Sequence, residues 1–507
     1  MQAEAARKEM AIRRGPVLAG LMLSMALTAM DVTIVATAIP SIVRDLGGFS
    51  LFPWVFSVYL LAQAATIPVY GKLADLYGRK PVLLIGAAIF LLGSALSGLS
   101  WNMAALILFR GIQGLGAGAI QPIATTVVGD LYTVAERAKI QGYLSSVWGV
   151  AAIIGPAIGG FLVQYASWHW IFYINIPIGI GALVVVGLYL KEHLERRRHR
   201  IDYLGSVLLT VGMVLAILEL LEGGVAWPWL SLDSAFVLLP ALFLLGAFVW
   251  TESRAAEPVL PLWVFQRREL VTANLGSFVV GLLTIGLSTF LPTFVQGVQG
   301  GTPLVAGFAL GVQSIGWPLA AGLSGLLYLR VGFQRTALVG TGLALLSGLL
   351  FVLLGPLSTP VDAGGASFLM GAGLGLVSTS LVVAVQAMVG WSRRGVVTGA
   401  NMFTRMVGSA LGAAVYGGIL NGSIVAHLAA APPHIRAGLG AGLNAEALTL
   451  GETVHVPEAL RGFLKHVLYL GIHEVFWGIL GAGVLGVFLI LLMPRHPRPL
   501  EEEDSVA

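Results

Sequence analysis

The chain has no cysteine in its 507 residues. Disulfides, thiolate metal centres and cysteine nucleophiles are thereby excluded. Charge is also scarce: Asp, Glu, Lys and Arg make up 11% of the sequence, where ordinary soluble domains carry about 25%. A soluble fold needs polar residues to cover its surface. With 57% hydrophobic residues and a mean hydropathy of +0.88, too few remain for that. No Walker loop is present, which argues against ATP-driven pumping by this chain, and the histidines lack metal-ligand spacing. Neither a metal nor an organic cofactor is expected. The net charge of +4 does not mark a nucleic-acid binder, because the basic residues sit in short clusters between apolar runs.

Abundant instead are long apolar runs and 66 glycines, a combination that suits helices packed closely in a bilayer. A helix needs about 20 apolar residues to cross the hydrocarbon core. The runs predict fourteen spans, at 16–40, 53–71, 81–99, 103–125, 139–163, 169–190, 203–221, 234–251, 270–295, 303–328, 336–354, 364–388, 397–421 and 466–493. The first, after Arg13 and Arg14, is longer than the ~7–15-residue core of a signal peptide. Orientation follows from Lys and Arg. With the N-terminus inside, 23 of the 29 fall in inside segments, and only Arg44, Arg436, Arg461 and Lys465 fall outside. An even number of spans with both termini cytoplasmic satisfies that bias, and dropping one span inverts everything after it. The expectation is an all-α, multi-pass protein of the cell membrane. Its longest outside loop, 422–465, contains Pro432-Pro433 and then an amphipathic stretch at Pro457–His466, read as a connector with a short interfacial helix.

Two spacings suggest duplication. Gly71-Lys-Leu-Ala-Asp-Leu-Tyr-Gly78 has a weak echo in Gly325-Leu-Leu-Tyr-Leu-Arg-Val-Gly332, 254 residues on. Gly159-Gly160 is echoed by Gly417-Gly418, 258 residues on. Together they divide the chain into a six-helix half at 1–200, two inserted helices at 201–268 and a second six-helix half at 269–507. The charged connector Lys191–Asp202 ends the first half. Duplicated halves around a central site are a recurring transporter architecture.

The segment Gly71-Lys-Leu-Ala-Asp-Leu-Tyr-Gly-Arg-Lys80 resembles the loop signature of the major facilitator superfamily. Further segments resemble its fourteen-helix drug/proton antiporter branch: Met30-Asp-Val-Thr-Ile-Val35, Arg110-Gly-Ile-Gln-Gly114, and Gly149 through Gly155-Pro156 to Gly159-Gly160. Trp168-His-Trp-Ile-Phe-Tyr-Ile-Asn-Ile-Pro177 also fits that branch. The loop motif places Gly71 and Gly78 for a tight turn. Asp75 is an acceptor able to face a helix N-terminus, and Arg79 and Lys80 have acidic loop partners available in Asp130 and Glu136. The resemblance implies the major facilitator fold, with Asp75 and Arg79 as a latch on the cytoplasmic side. The second copy has Leu329 where Asp75 stands, so the latch is expected on one side alone. The resemblance further implies an exporter, because the Gly149–Gly160 motif accompanies antiport in that family. Pro156 breaks a helical hydrogen bond, and the nearby glycines would let span five press against the other half.

Charges inside spans are costly and mark pathways or relays. Asp31, too deep in span one to reach water, is the expected proton carrier. Arg110 in span four and Arg405 in span thirteen are its candidate partners, and Arg405 is the preferred one, on the expectation that spans one and thirteen meet. Gln113, Glu219 and Glu474 are further cavity or relay candidates, with Glu219 more suited to a helix end. Gln63, Gln121, Gln313, Gln386 and Asn401 offer polar contacts. The sequence thus predicts a monomeric proton-coupled antiporter, without enzymatic activity, that exports small hydrophobic or amphipathic substrates by alternating access. Export of a lipid or envelope component is the alternative, and a non-transporting sensor or scaffold a third.

Overall fold

The computed structural model describes residues 2–47, 51, 53–192, 202–223, 227–255, 257–432 and 458–495. Among them are sixteen α-helices and no strand beyond one isolated bridge. The first group is α1 (Gln2–Leu46), α2 (Pro53–Tyr77), α3 (Arg79–Ser97), α4 (Met103–Leu131), α5 (Val134–Tyr165), α6 (Trp170–Tyr173) and α7 (Asn175–Tyr189). Then come α8 (Tyr203–Glu222) and α9 (Leu232–Glu252). The last group is α10 (Arg268–Thr293), α11 (Pro303–Gly311), α12 (Gln313–Val331), α13 (Phe333–Leu353), α14 (Pro360–Ala387), α15 (Arg394–Ala429) and α16 (Glu458–Leu491).

Among the described residues thirteen helical segments are long and apolar enough to cross a membrane, and where span seven is predicted α8 offers a shorter apolar stretch, Leu204–Leu220. Three of the predicted spans are not single regular helices. Span six is α6 plus α7, span nine ends in a π turn at Phe294–Val298, and span ten is α11 plus α12. The amphipathic stretch at Pro457–His466 is no separate interfacial helix, since from Glu458 onward it forms the first turns of α16. Most of the 422–465 loop and of the Lys191–Asp202 connector lies outside the described residues.

Helix ends carry their own stop and start signals. The Asn102 side chain accepts from the Ala105 amide (2.8 Å) to start α4. Thr133 and Glu136 form a capping box that closes α5 on itself. Between α2 and α3 the chain turns at Gly78 (φ 94°), and between α12 and α13 at Gly332 (φ 88°). Both angles belong to glycine, and both turns stand at the equivalent place in the suspected repeat. Gly71 does not serve this turn. It lies inside α2, where a Cβ would stand 2.7 Å from the Gly395 carbonyl oxygen.

In the first group α1 packs on α5 and α7, while α2 and α3 pack on α4; in the last, α10 packs on α15 and α16, and α12 and α13 on α14. Two seams join the groups, α5 with α12 and α2 with α15. Both are close backbone contacts, because a Cβ on Gly142 would come within 2.8 Å of Gly322 Cα. Helices α8 and α9 pack on each other, and α8 lies against α2 and α15. The two ends of the bundle share one face: Arg14 meets Glu136 (3.4 Å), Tyr328 Oη donates to the Val134 carbonyl, and Gly332 abuts Arg495.

The α5–α12 seam gives a stability test. Gly142→Leu overpacks it at a cost of about 1–3 kcal/mol, so the melting temperature of the purified protein should fall by several degrees. Gly160→Ala, which adds a methyl where nothing lies within 4 Å, should not lower it. An unchanged melting temperature for Gly142→Leu would show the seam to be looser than drawn.

Candidate functional site

Asp31 is fully buried in α1, and its carboxylate organises residues from four other helices. Arg110 of α4 donates through Nη1 to Asp31 Oδ2 (2.5 Å) and to Gln113 Oε1 (2.8 Å). Gln113 Nε2 donates to Asp31 Oδ1 (2.8 Å), and Asn175 Nδ2 of α7 donates to the same oxygen (3.3 Å). Asn175 also donates to Ser94 Oγ of α3 (3.0 Å), which in turn donates to the Phe172 carbonyl (2.8 Å). Arg110 Nε reaches the Val55 carbonyl at the start of α2 (3.2 Å), and its guanidinium lies 4.2 Å from the Tyr59 ring centre. Asp31, Arg110, Gln113 and Asn175 all have 0% exposure, so their fields are unscreened by water. Arg110 Nη2, Tyr59 Oη and Asn175 Oδ1 are buried without a protein partner.

The preferred pairing of Asp31 with Arg405 is not what the structure contains. α15 crosses α2 and α10, whereas α1 packs on α5 and α7, so the expected meeting of spans one and thirteen does not occur. The Gly155–Pro156 region is likewise turned inward within its own group. A Cβ on Gly155 would collide with Thr33 of α1, and Thr33 Oγ1 donates to the Ala151 carbonyl (3.1 Å). Gly159 is buried, Pro156 and Gly160 are exposed, and Gly149 meets the other group, where an added Cβ would stand 2.7 Å from the Ser314 carbonyl oxygen.

The loop residues form a second charged assembly, between the groups. Asp75 accepts from the Gly395 and Val396 amides (2.8 and 2.7 Å) at the start of α15, where unpaired amides and the helix dipole favour an anion. Arg79 Nη2 pairs with Asp75 (2.9 Å) and donates to the Trp391 carbonyl (2.5 Å), while Nε pairs with Asp130 (2.9 Å). The Arg79 guanidinium lies 3.8 Å from the Trp391 ring centre. Arg394 Nη1 closes the ring on Asp130 Oδ1 (2.9 Å). Lys80 contributes its backbone amide, which donates to Glu192 (3.0 Å), and Glu136 turns to Arg14 and Thr133. Gln386 Nε2 adds a bridge from α14 to the Thr125 carbonyl and to Thr398 Oγ1, both at 3.1 Å.

The remaining candidates stand apart. Glu219 is buried where α8 meets α9, accepting from Ser234 Oγ (2.6 Å) and Trp227 Nε1 (3.2 Å). It ties the inserted pair together, apart from the Asp31 cluster. Glu474 is exposed on α16, away from the Asp31 cluster. Asn401 joins helices, donating to Asn274 Oδ1 of α10 (3.2 Å). Asn175, Ser94, Tyr59, Trp391, Arg394 and Glu192 escaped sequence reasoning. Only Asn175 had a signal, through the Trp168–Pro177 segment.

A family model described as Major Facilitator Superfamily matches residues 21–413. Multidrug resistance protein 3 of Bacillus subtilis (strain 168) is 35% identical over 94% of this chain and 95% of its own length. Multidrug transporter protein MdtP of the same strain is 33% identical over 97% and 95%. The crystal structure of the human organic anion transporter MFSD10 superposes with a TM-score of 0.63 at 16% identity, covering 94% of this chain and 99% of that one. The proton:xylose symporter XylE superposes with a TM-score of 0.59 at 12% identity, covering 97% and 98%. At such identities the two structures establish the fold alone.

The buried ion pair predicts a paired response to mutation. Arg110→Met leaves Asp31 buried without its counter-ion, a loss of about 3–5 kcal/mol that should appear as a large drop in melting temperature. Adding Asp31→Asn to that variant should recover part of the loss. A double variant no more stable than the single one would mean that the pair is not coupled.

Proposed function

Since the chain belongs to the major facilitator superfamily, and so is a multi-pass membrane transporter and not an enzyme, we propose that it exports small hydrophobic or amphipathic molecules in exchange for protons. The observation that carries this reading is the buried Asp31–Arg110 pair. An ion pair held within a span costs too much to serve as mere packing, and a carboxylate is the group able to gain and lose a proton there. Similarity to two multidrug transporters over nearly the whole chain supports efflux of varied small molecules.

Protonation of Asp31 would neutralise the carboxylate and convert it from acceptor of three donors to a donor itself. Arg110 would lose its counter-charge and pull toward the Val55 carbonyl and the Tyr59 ring. Because α4 and α7 hold this carboxylate of α1 directly, and α3 is tied to it through Asn175, its neutralisation would loosen the first group as a unit. In this scheme the Asp75–Arg79–Asp130–Arg394 assembly holds one face shut until substrate and proton exchange favours the other state. Its face carries the clustered basic residues and would be cytoplasmic in the cell membrane. Residues 1–200 and 269–507 would be the rocking halves, with 201–268 the inserted pair.

Reconstitution in proteoliposomes with an imposed pH gradient tests the reading, using cationic, neutral and anionic amphipathic dyes. The native protein should move at least one dye uphill. Asp31→Asn should still bind that dye but lose gradient-driven accumulation, and uphill transport by that variant would remove Asp31 from the coupling step. Asp75→Asn should slow transport about tenfold, for ~1.4 kcal/mol of lost helix-end stabilisation, at unchanged expression. Native rates in Asp75→Asn would reject the latch.

A further inference from the structure

Of the two arginines deep in the spans, Arg110 has Asp31 as its counter-ion. Arg405 has none: among the described residues no hydrogen bond or ion pair reaches its guanidinium. Arg405 stands at mid-depth, because its carbonyl abuts Gly281, halfway along α10, and Ser409 Oγ in the next turn donates to the Gly281 carbonyl (3.2 Å). Thr398, Met402, Arg405 and Ser409 follow one another at spacings of four, three and four, which is one stripe of a helix. At the head of that stripe Thr398 accepts from Gln386 of α14, whose amide also reaches α4. Ala400, Met402 and Phe403 belong to the apolar cluster shared with α2 and α8, and Met406 packs against it. The Arg405 side chain is partly open, unlike the sealed Asp31 and Arg110.

An uncompensated cation inside a membrane protein is expensive, and the resident carboxylates are engaged elsewhere. Asp31 serves Arg110, Asp75 and Asp130 serve the latch, and Glu219 is held by Ser234 and Trp227. We propose that Arg405 is the binding site for an oxyanion on the transported molecule. Its substrates are then amphipaths with a carboxylate, sulfonate or phosphate beside an apolar body. This inference rests on the export reading and narrows its substrate class. A guanidinium suits the task because its planar fork can hold two oxygens at once.

The test measures binding separately from transport. Full-length protein in phosphatidylcholine nanodiscs is titrated with dansylaminoundecanoate and with its methyl ester, following dansyl fluorescence. The acid should bind about tenfold tighter than the ester, or more. Arg405→Gln should abolish the difference while leaving ester affinity unchanged, which also shows that the variant is folded; Arg405→Lys should retain part of it. Equal affinities in the native protein, a preference that survives Arg405→Gln, or loss of acid and ester binding alike in that variant would each overturn the proposal. Phosphatidylglycerol added to the nanodiscs separates two sources of the oxyanion. Competition with the acid assigns the site to a lipid headgroup, and no competition assigns it to free amphipaths. Transport in vesicles then distinguishes the two readings. An acid preference in binding with no dye transported refutes export and leaves the anion site standing. Transport of ester or cationic dye without an acid preference refutes the anion site and leaves export standing.

Discussion

The first amides of α15 find no acceptors within their own helix, and Asp75 supplies them from across the divide between the two groups. The rest of that face is arranged around this contact. Arg79 is held by Asp75 and Asp130 and by the Ala74 and Trp391 carbonyls, so its position depends on the groups being together. Arg394, the first residue of α15, reaches back to Asp130. Removing any one of these charges leaves the others buried with fewer partners, and for buried networks that is the expensive outcome. Separation of the groups at this face is therefore all-or-none in character.

The two charged assemblies share a helix. α4 carries Arg110 and Gln113 toward one end and Asp130 at the other, some twenty residues apart and so about 30 Å along a helix. The Asp31 cluster lies wholly within the first group, whereas the latch spans both. A small rotation or slide of α4 would change the geometry of both at once, so that under the proposed mechanism Asp31 has a mechanical route to the Asp75–Arg79 assembly.

The sequence was most informative where a feature depends on residues close in the chain. Spans show as apolar runs. Asp75 lies in a short motif whose chemistry already calls for a helix end, and Gly78 and Gly332 mark turns that need positive φ. It was least informative about which helix meets which. The expected Asp31–Arg405 pair relied on spans one and thirteen being neighbours, but α2 takes the place beside α15, and the partner is Arg110. Asn175, Ser94 and Tyr59 are single polar residues of a kind that usually just join helices, and only packing brings them to Asp31. Gly71 reads as a turn residue by its place in the motif, although its missing side chain is needed one helix away, against Gly395.

Leu329 stands where a second Asp75 would be, and α5, the helix it would cap, is already closed by Thr133 and Glu136. The two seams therefore differ in kind. Parting α2 from α15 strands charges and amides, while turning α5 against α12 disturbs mainly glycine surfaces and one tyrosine contact. Mechanically the first seam is a clasp and the second a hinge. If the two groups rock as proposed, the axis would lie off-centre, along α5 and α12, and the far side of the molecule would sweep the wider arc.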